Sequence, residues 1–556
     1  MHQEAKPVPL AWGTLRWRLA LAGQFLFVFA AVALSGPGRV DINDGQTRYE
    51  VARSLVEYGD SVIRDKNVWF AVMPGRNGET YTNYRFPQTG LGILAIWFAD
   101  ATGRDGEARR LFFFTLISPL LAAFLALTYS VWFRSLGHSP GASLAWATAG
   151  IFCTPNWYYG TSTFDDMLGA AAVVPAVAVA FLLRERRPLL GAALAGLLMG
   201  WAFNCKPPLG VFVLPVLAAC YCPAITGGRR LVPLGLVCLG LALGIAAHKG
   251  YEWYKFPPGQ CDPDQMAETI YGKVWVGDPI PGLGGLTVSL SAGAVWYCPT
   301  FLLSVVGWVL WRRQHLGFCQ TVVFASLVLV LFLSFLTFFK GEPCWGPRYL
   351  TPLFALWWVF VPAAATVLRR RFVAGLLALG AVIQLLALSV DPQRLLLSKA
   401  IPFNYYQYDR ALQFHPQLSH LLQRPREIAE ILARQGRSPE YSPAPSPTYA
   451  TAVPSAFPLV LTSTLGHGTS PLAFRPLTTV SALQMGTLHG PAQYIDAAER
   501  YHVFASFRPW WLSHQYLSPE ERPVDLVRTL LLLLGMSGLG LGVMVVAGRS
   551  GDQVTR

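Results

Sequence analysis

Six charged residues stand beside long apolar runs, where ionised side chains are least expected. Asp41 and Asp44 lie in RVDINDGQTRYEVARSL (39–55), directly after LALAGQFLFVFAAVALSG. Asp165 and Asp166 open another run in TSTFDDM (161–167), Lys206 breaks one in FNCKPPLG, and Arg348 precedes one in GEPCWGPRYLTP. A carboxylate can take the proton of an attacking hydroxyl. Lysine and arginine can hold a departing phosphate, arginine through two parallel donors. Gathered in one place, such a set suits transfer of a group away from a phosphate leaving group. Charge at the edge of a bilayer core is costly, which makes each residue a functional candidate by default.

Each also has a plainer reading. An aspartate can cap the short amphipathic helix expected over 45–58, in which Tyr49, Ala52 and Val56 share a face. Asn43 and Gln46, however, make an Asx-x-x-Gln capping box. That puts Asp44 in the first turn and leaves Asp41 without an assigned role, with the helix dipole favouring the ionised form of either. Thr163 or Asp165 can cap the apolar run that follows it. Lys206 can snorkel to the interface, and Arg348 can pair with Glu342. His248 and Lys249, at the end of a further run, are secondary candidates for holding an anion. The other histidines form no pattern.

The elements that must position these residues follow from composition. The chain has 556 residues, of which 53% are hydrophobic and 13% charged, and its mean hydropathy is +0.38. Soluble domains carry about 25% charged residues. The expected fold class is therefore an all-α integral membrane protein. Runs of about 17–25 apolar residues mark spans. They fall at 16–36, 108–133, 140–157, 163–183, 189–205, 207–222, 231–249, 291–311, 319–339, 350–368, 372–390 and 524–547, about twelve transmembrane helices. The first is too long for a signal-peptide core and is expected to remain as a helix. The shorter segment 88–100 reads as an interfacial helix. The nine cysteines are scattered, apart from Cys220 and Cys222, and suggest neither a zinc site nor a disulfide framework.

Basic residues then set orientation. With Lys6, Arg16 and Arg18 in the cytoplasm, the loops sharing that side carry Arg134, then Arg184, Arg186 and Arg187, then Arg229 and Arg230. Arg312 and Arg313 follow, and then Arg369 to Arg371. All five loops are basic, as the positive-inside rule requires. The net charge of +13 thus reflects orientation and anionic headgroups, not nucleic acid. The outer side receives all six candidates and a long polar segment. The expected organisation is a transmembrane domain over 1–391 with a first outer loop at 37–107. An extracytoplasmic region or small domain over 392–523 follows, then a last span and cytoplasmic tail over 524–556. Within 392–523, QLSHLLQRPREIAEILARQ has helical spacing, and RSPEYSPAPSPTYATAVPS reads as an extended linker.

A first span followed by Asp-x-x-x-x-Tyr-x-x-Ala on an outer helix resembles the GT-C superfamily of membrane glycosyltransferases. It is most similar to the protein O-mannosyltransferase and aminoarabinose transferase group (glycosyltransferase family 39 and its bacterial relatives). YRFPQTGLGILAIWFADATG resembles that group's aromatic-Pro-x-x-Gly segment, and WGPRYLTP a segment of its bacterial members. The likeness covers the architecture of roughly the first 370 residues, but only short motifs in sequence. It implies an essential aspartate in the first outer loop and a polyprenyl-phosphate-linked sugar donor. The family places an acidic residue after its aspartate, where this chain has Gly45, so Asp41 and Asp44 both stay open; Tyr49 and Ala52 favour Asp44. Lys206, the one basic residue in an otherwise apolar stretch on the outer side, is expected on the donor phosphate, and the resemblance implies Arg348 there as well. Two adjacent carboxylates at a helix end are costly to desolvate, so at least one of Asp165 and Asp166 is expected to face a polar cavity. Trp345 and Tyr349 suit a sugar ring or an isoprenoid chain, and Tyr49 is an expected substrate-binding residue. A divalent metal is compatible with the superfamily, and nothing in this sequence demands one.

The expected function is an inverting membrane glycosyltransferase acting on the extracytoplasmic face of a bacterial inner membrane, on an acceptor the sequence does not identify. The alternatives are a transporter or flippase of a lipid-linked or acidic solute, and a noncatalytic relative that binds the lipid carrier. No inverted repeat supports transport.

Overall fold

The structure is a computed structural model. The described residues are 14–65, 68, 71–102, 106–221, 231–258, 275, 278–336, 339, 341, 344–392, 395, 419–434, 506–514, 522 and 524–552. They form an almost wholly helical assembly, with one two-stranded hairpin pairing Val72–Pro74 with Thr80–Thr82.

Among the described residues, eight helices are long and apolar enough to cross a membrane: Leu15–Ser35, Glu107–Ser135, Asp166–Leu183, Pro188–Cys205, Leu231–Lys255, Leu316–Ser334, Arg370–Ser389 and Leu526–Gly548. The other four of the twelve expected spans are shorter or interrupted, and proline explains most of the difference. Pro140–Phe152 stops ahead of Pro155, and Phe301–Trp311 starts only after Pro299. The run 348–364 alternates between 3-10 turns and short α-helices around Pro352 and Pro362. Proline removes a backbone donor and clashes with the preceding turn, so continuous helix fails there.

Pro207 and Pro208 act in the same way. The residue before a proline is pushed out of the helical region, and Lys206 is extended at φ −149°, ψ 117°. The chain resumes as a 3-10 turn, Pro207–Phe212, and then Val213–Cys220. The 166–183 helix is the centre of the bundle. It is buried from Asp166 through Ala178, with Ala, Val and Gly on most of its faces, and packs against the 188–205 helix and the equally buried 351–357 turn.

The chain alternates direction through these elements. The ends of Leu15–Ser35 (α1), the 188–205 helix and the 370–389 helix meet the start of the 166–183 helix and Arg348 at one end of the bundle. Arg134, Arg184, Arg312 and Arg369 lie at the other, in the turns that close the intervening pairs. Two short helices frame the first end. Asn43–Glu57 (α2) and Phe86–Ala101 (α3) pack together, with Tyr49, Ala52, Ala95, Ile96 and Phe114 forming their apolar seam. The helical spacing at 417–435 is present as His420–Arg434. The Pro/Ser-rich stretch, Cys222, Arg229, Arg230 and Glu342 lie outside the described residues.

Candidate active site

Asp44 occupies the first turn of α2. The N-cap is Ile42, extended and without a side-chain bond, so the expected Asn43–Gln46 box is not how this helix begins. Gln46 instead donates to Glu50 Oε1 at 3.1 Å. The Asp44 carboxylate is buried but makes no hydrogen bond among the described residues; its one ion partner is Arg348 Nη1, 3.5 Å away. Gly45 accounts for the departure from the acidic pattern noted in the sequence. A Cβ there would stand 2.6 Å from Thr163 Cβ, so any side chain would push the start of α2 off the 161–166 loop.

That loop delivers the second pair of carboxylates. Asp165 is the N-cap residue of the 166–183 helix but makes no capping bond, and Thr163 is engaged elsewhere. Released from capping, Asp165 accepts from Arg48 Nη2 at 2.9 Å and lies 3.0 Å from Lys206 Nζ. Burial alone would raise the Asp165 pKa, but Arg48, Lys206 and Arg348 together hold it below the usual carboxylate range. Asp166 takes Lys206 Nζ on one oxygen and faces Arg348 Nε at 3.5 Å with the other. Burial opposes the Lys206 charge, and Asp165 and Asp166 more than restore it. Lys206 neither snorkels nor stands alone: it ties the two carboxylates together, with the Tyr349 ring 4.7 Å away.

Arg348 completes the cluster. Its guanidinium lies 3.9 Å over the Phe164 ring and donates to the Tyr349 hydroxyl at 3.0 Å. The approaches to Asp44 and Asp166 at 3.5 Å are too long for hydrogen bonds. Arg348 Nε and Nη1, Arg48 Nη1 and Asp166 Oδ2 are consequently buried without one. Gly341 makes room for this arrangement. It adopts φ +70°, and a Cβ would lie 2.6 Å from Arg348 Nε.

Two cations escaped the sequence reading. Arg48 lies four residues after Asp44, one helical turn along the same face, and stacks 4.1 Å over Tyr84. Arg85 makes no hydrogen bond or ion pair among the described residues, and burial lowers its pKa against the pull of Glu252 and Asp165. Lys255 donates to the carbonyls of Thr82 and Tyr84, both at 2.8 Å, and so fixes the strand end that carries Tyr84 and Arg85.

Other expected residues sit elsewhere. Asp41 is saturated: Ser162 Oγ, Thr163 N and Oγ1, and Arg508 Nη2 all donate to it at 2.7–2.9 Å. Tyr49 is wholly buried against Phe114 in the α2–α3 seam. Trp345 is 1% exposed and packs on Tyr297, behind the site. His248 and Lys249 both turn to Glu252, at 3.0 and 2.7 Å. Among the described residues no group of three or more His, Cys, Asp or Glu side chains could hold a metal ion.

No family model matches the chain, and no curated protein matches it. Solved structures do show a likeness. The chain is similar to ArnT from Cupriavidus metallidurans bound to undecaprenyl phosphate, at 15% identity and TM-score 0.43, over 94% of this chain and 85% of that one. The apo oligosaccharyltransferase of Archaeoglobus fulgidus aligns at 12% identity and TM-score 0.39, over 77% of this chain and 59% of that one. Arabinosyltransferase EmbB from Mycobacterium smegmatis aligns at 12% identity and TM-score 0.38, over 97% of this chain and 42% of that one.

Proposed function

We propose that the chain is a membrane glycosyltransferase that moves a sugar from a polyprenyl-phosphate carrier to an acceptor hydroxyl on the extracytoplasmic face. One observation carries the reading: the buried Arg348 guanidinium has two donors without hydrogen bonds, Nε toward Asp166 and Nη1 toward Asp44, and the Asp44 carboxylate makes no hydrogen bond among the described residues. Buried donors without partners are rare in native proteins and point to a missing acceptor. A phosphate supplies several acceptors at once. Three carboxylates, Asp44, Asp165 and Asp166, meet three cations, Arg48, Lys206 and Arg348, and Arg85, unpaired among the described residues, stands within electrostatic range of Asp165.

The chemistry follows from those roles. The acceptor oxygen attacks the anomeric carbon as the bond from that carbon to the phosphate oxygen breaks. Asp44 takes the hydroxyl proton, and the leaving phosphate keeps the bonding pair. Arg348 and Arg85 stabilise the charge that develops there. Lys206 adds its field while holding Asp165 and Asp166 in place. Direct displacement of this kind inverts the anomeric centre. The arginine-bearing turns would lie in the cytoplasm and the cluster outside. Residues 392–523 then belong to the outer side, and the protein to a bacterial inner membrane.

The test is transfer by the purified protein in lipid nanodiscs, given a polyprenyl-phosphate donor carrying radiolabelled sugar together with envelope glycolipids and proteins as acceptors. Label moving to an acceptor with release of polyprenyl phosphate supports the proposal. Intact donor in nanodiscs, with donor crossing the bilayer of proteoliposomes, would assign a flippase instead.

A further inference from the structure

Arg508 lies far along the chain, in the described segment 506–514 that precedes the last long helix, yet its side chain reaches the mouth of the first. It is 0% exposed. Nη2 donates to Asp41 Oδ2 at 2.9 Å, and Nη1 to Thr161 Oγ1 at 2.8 Å. Asp41 in turn accepts from Ser162 Oγ at 2.9 Å, from Thr163 N at 2.9 Å and from Thr163 Oγ1 at 2.7 Å. One guanidinium and one carboxylate thus hold three consecutive residues, 161 to 163. Phe164, under the Arg348 guanidinium, comes next, and then Asp165 and Asp166.

The segment that carries Arg508 is itself anchored. Arg508 N donates to the Ser389 carbonyl at 2.8 Å and Trp510 N to that of Gly36 at 2.9 Å. Trp511 Nε1 donates to the Leu34 carbonyl at 2.9 Å. The Trp510 ring packs on Phe112 with centroids 5.5 Å apart. The opposite side of the 161–163 loop is fixed by Gln88, which donates to the Thr163 carbonyl at 2.8 Å, and by Ser118, which donates to that of Ser162 at 2.7 Å. The loop is therefore clamped between the first outer elements on one side and the Arg508 segment on the other. Asp41, one of the two carboxylates at the first span's mouth, serves as the joint.

We infer that Arg508 is a positioning residue: acting through Asp41 and Thr161, it sets the loop that presents Asp165 and Asp166 to Lys206, Arg48 and Arg348. The transfer arm of its test rests on the glycosyltransferase reading. The clamp itself does not. Small displacements of reacting groups cost rate far more than they cost binding. Arg508→Lys keeps the charge opposite Asp41 and loses the second arm to Thr161, so it separates positioning from charge neutralisation.

The experiment measures hydrogen exchange across 158–168 and steady-state transfer for wild type, Arg508→Lys, Arg508→Gln, Asp41→Asn and the Arg508→Gln/Asp41→Asn pair in nanodiscs. Arg508→Lys is expected to speed exchange at 161–166 and leave the long helices unchanged. Its kcat should fall by about tenfold to a hundredfold, with KM for the donor within about twofold. The double variant should be no worse than the worse single one, because both changes break one unit. Wild-type exchange at 161–166 together with wild-type kcat in Arg508→Lys overturns the inference. Faster exchange throughout the protein, with activity falling only as the folded fraction falls, overturns it too and leaves a structural brace. If wild type transfers no sugar while Arg508→Lys still loosens 161–166 alone, the clamp stands and the transferase reading fails.

Discussion

Arg348→Lys is the sharpest probe of how the site would hold a phosphate. In the structure the Arg348 guanidinium keeps Nη2 on the Tyr349 hydroxyl and presents Nε and Nη1 without hydrogen-bond partners. A phosphate drawn against the guanidinium would take those two donors in place of their 3.5 Å approaches to Asp166 and Asp44. Hydrogen bonds to charged groups contribute about 1.5–3 kcal/mol each. Losing both in Arg348→Ala removes about 3–6 kcal/mol, or about a hundredfold to ten-thousandfold in kcat/KM for the donor. Lysine restores a point charge and one donor, so Arg348→Lys should lie about tenfold to a hundredfold below wild type. Arg348→Ala also leaves the wholly buried Asp166 with Lys206 as its remaining ion partner, so its melting temperature should fall, whereas Arg348→Lys should melt near wild type. The assay is donor dependence of transfer in nanodiscs, with melting followed in parallel. A fully active Arg348→Lys, or an Arg348→Ala whose only defect is lower melting, would refute the phosphate assignment.

Other consequences are open to measurement. Gly341→Ala should impair donor use, because the added Cβ meets Arg348 Nε and the φ of +70° penalises any side chain; unchanged kcat/KM would show that Arg348 does not need its present position. Asp165 has a lowered folded-state pKa, so its ionised form adds stability above its unfolded pKa of about 3.9, and that stability disappears as pH falls. Asp165→Asn should accordingly melt below wild type at neutral pH, with the gap closing in acid; a gap independent of pH would contradict the charge pairing. A cysteine replacing Ser446 should react with an impermeant reagent from outside the cell, and labelling only after permeabilisation would reverse the orientation.

Much of the candidate site was legible because charge is conspicuous in an apolar chain. Asp44, Asp165, Asp166, Lys206 and Arg348 stand out by sequence alone, and the structure brings all five together. Arg48 was equally visible at four residues from Asp44, but an arginine on a polar helix face reads as solvated until its partner, Asp165, is known to lie opposite. Arg508 gave no local signal, since its partner Asp41 is 467 positions away. Asp41 and Asp44 were inseparable in sequence: both follow the first span, and only tertiary contacts leave one saturated with hydrogen bonds and the other facing Arg348 without one among the described residues. Tyr49 and Trp345, expected at the substrate because of the motifs they adjoin, pack into apolar seams, a direction that spacing does not encode. In the fold, the positions of the eight long helices were readable from hydropathy, with ends off by as much as six residues, whereas prolines within apolar runs shortened four of the twelve expected spans.

The measurement that bears most directly on the central claim is sugar transfer by Asp44→Asn in nanodiscs, read beside equilibrium binding of the polyprenyl-phosphate sugar. The substitution keeps the shape of the side chain and removes its capacity to accept a proton, and no hydrogen bond among the described residues depends on it. The account predicts transfer reduced to background with donor affinity within about threefold of wild type, since a general base acts in the transition state more than in the bound ground state. Full transfer by Asp44→Asn, with lower melting as its only change, would make Asp44 a structural residue and contradict the assignment.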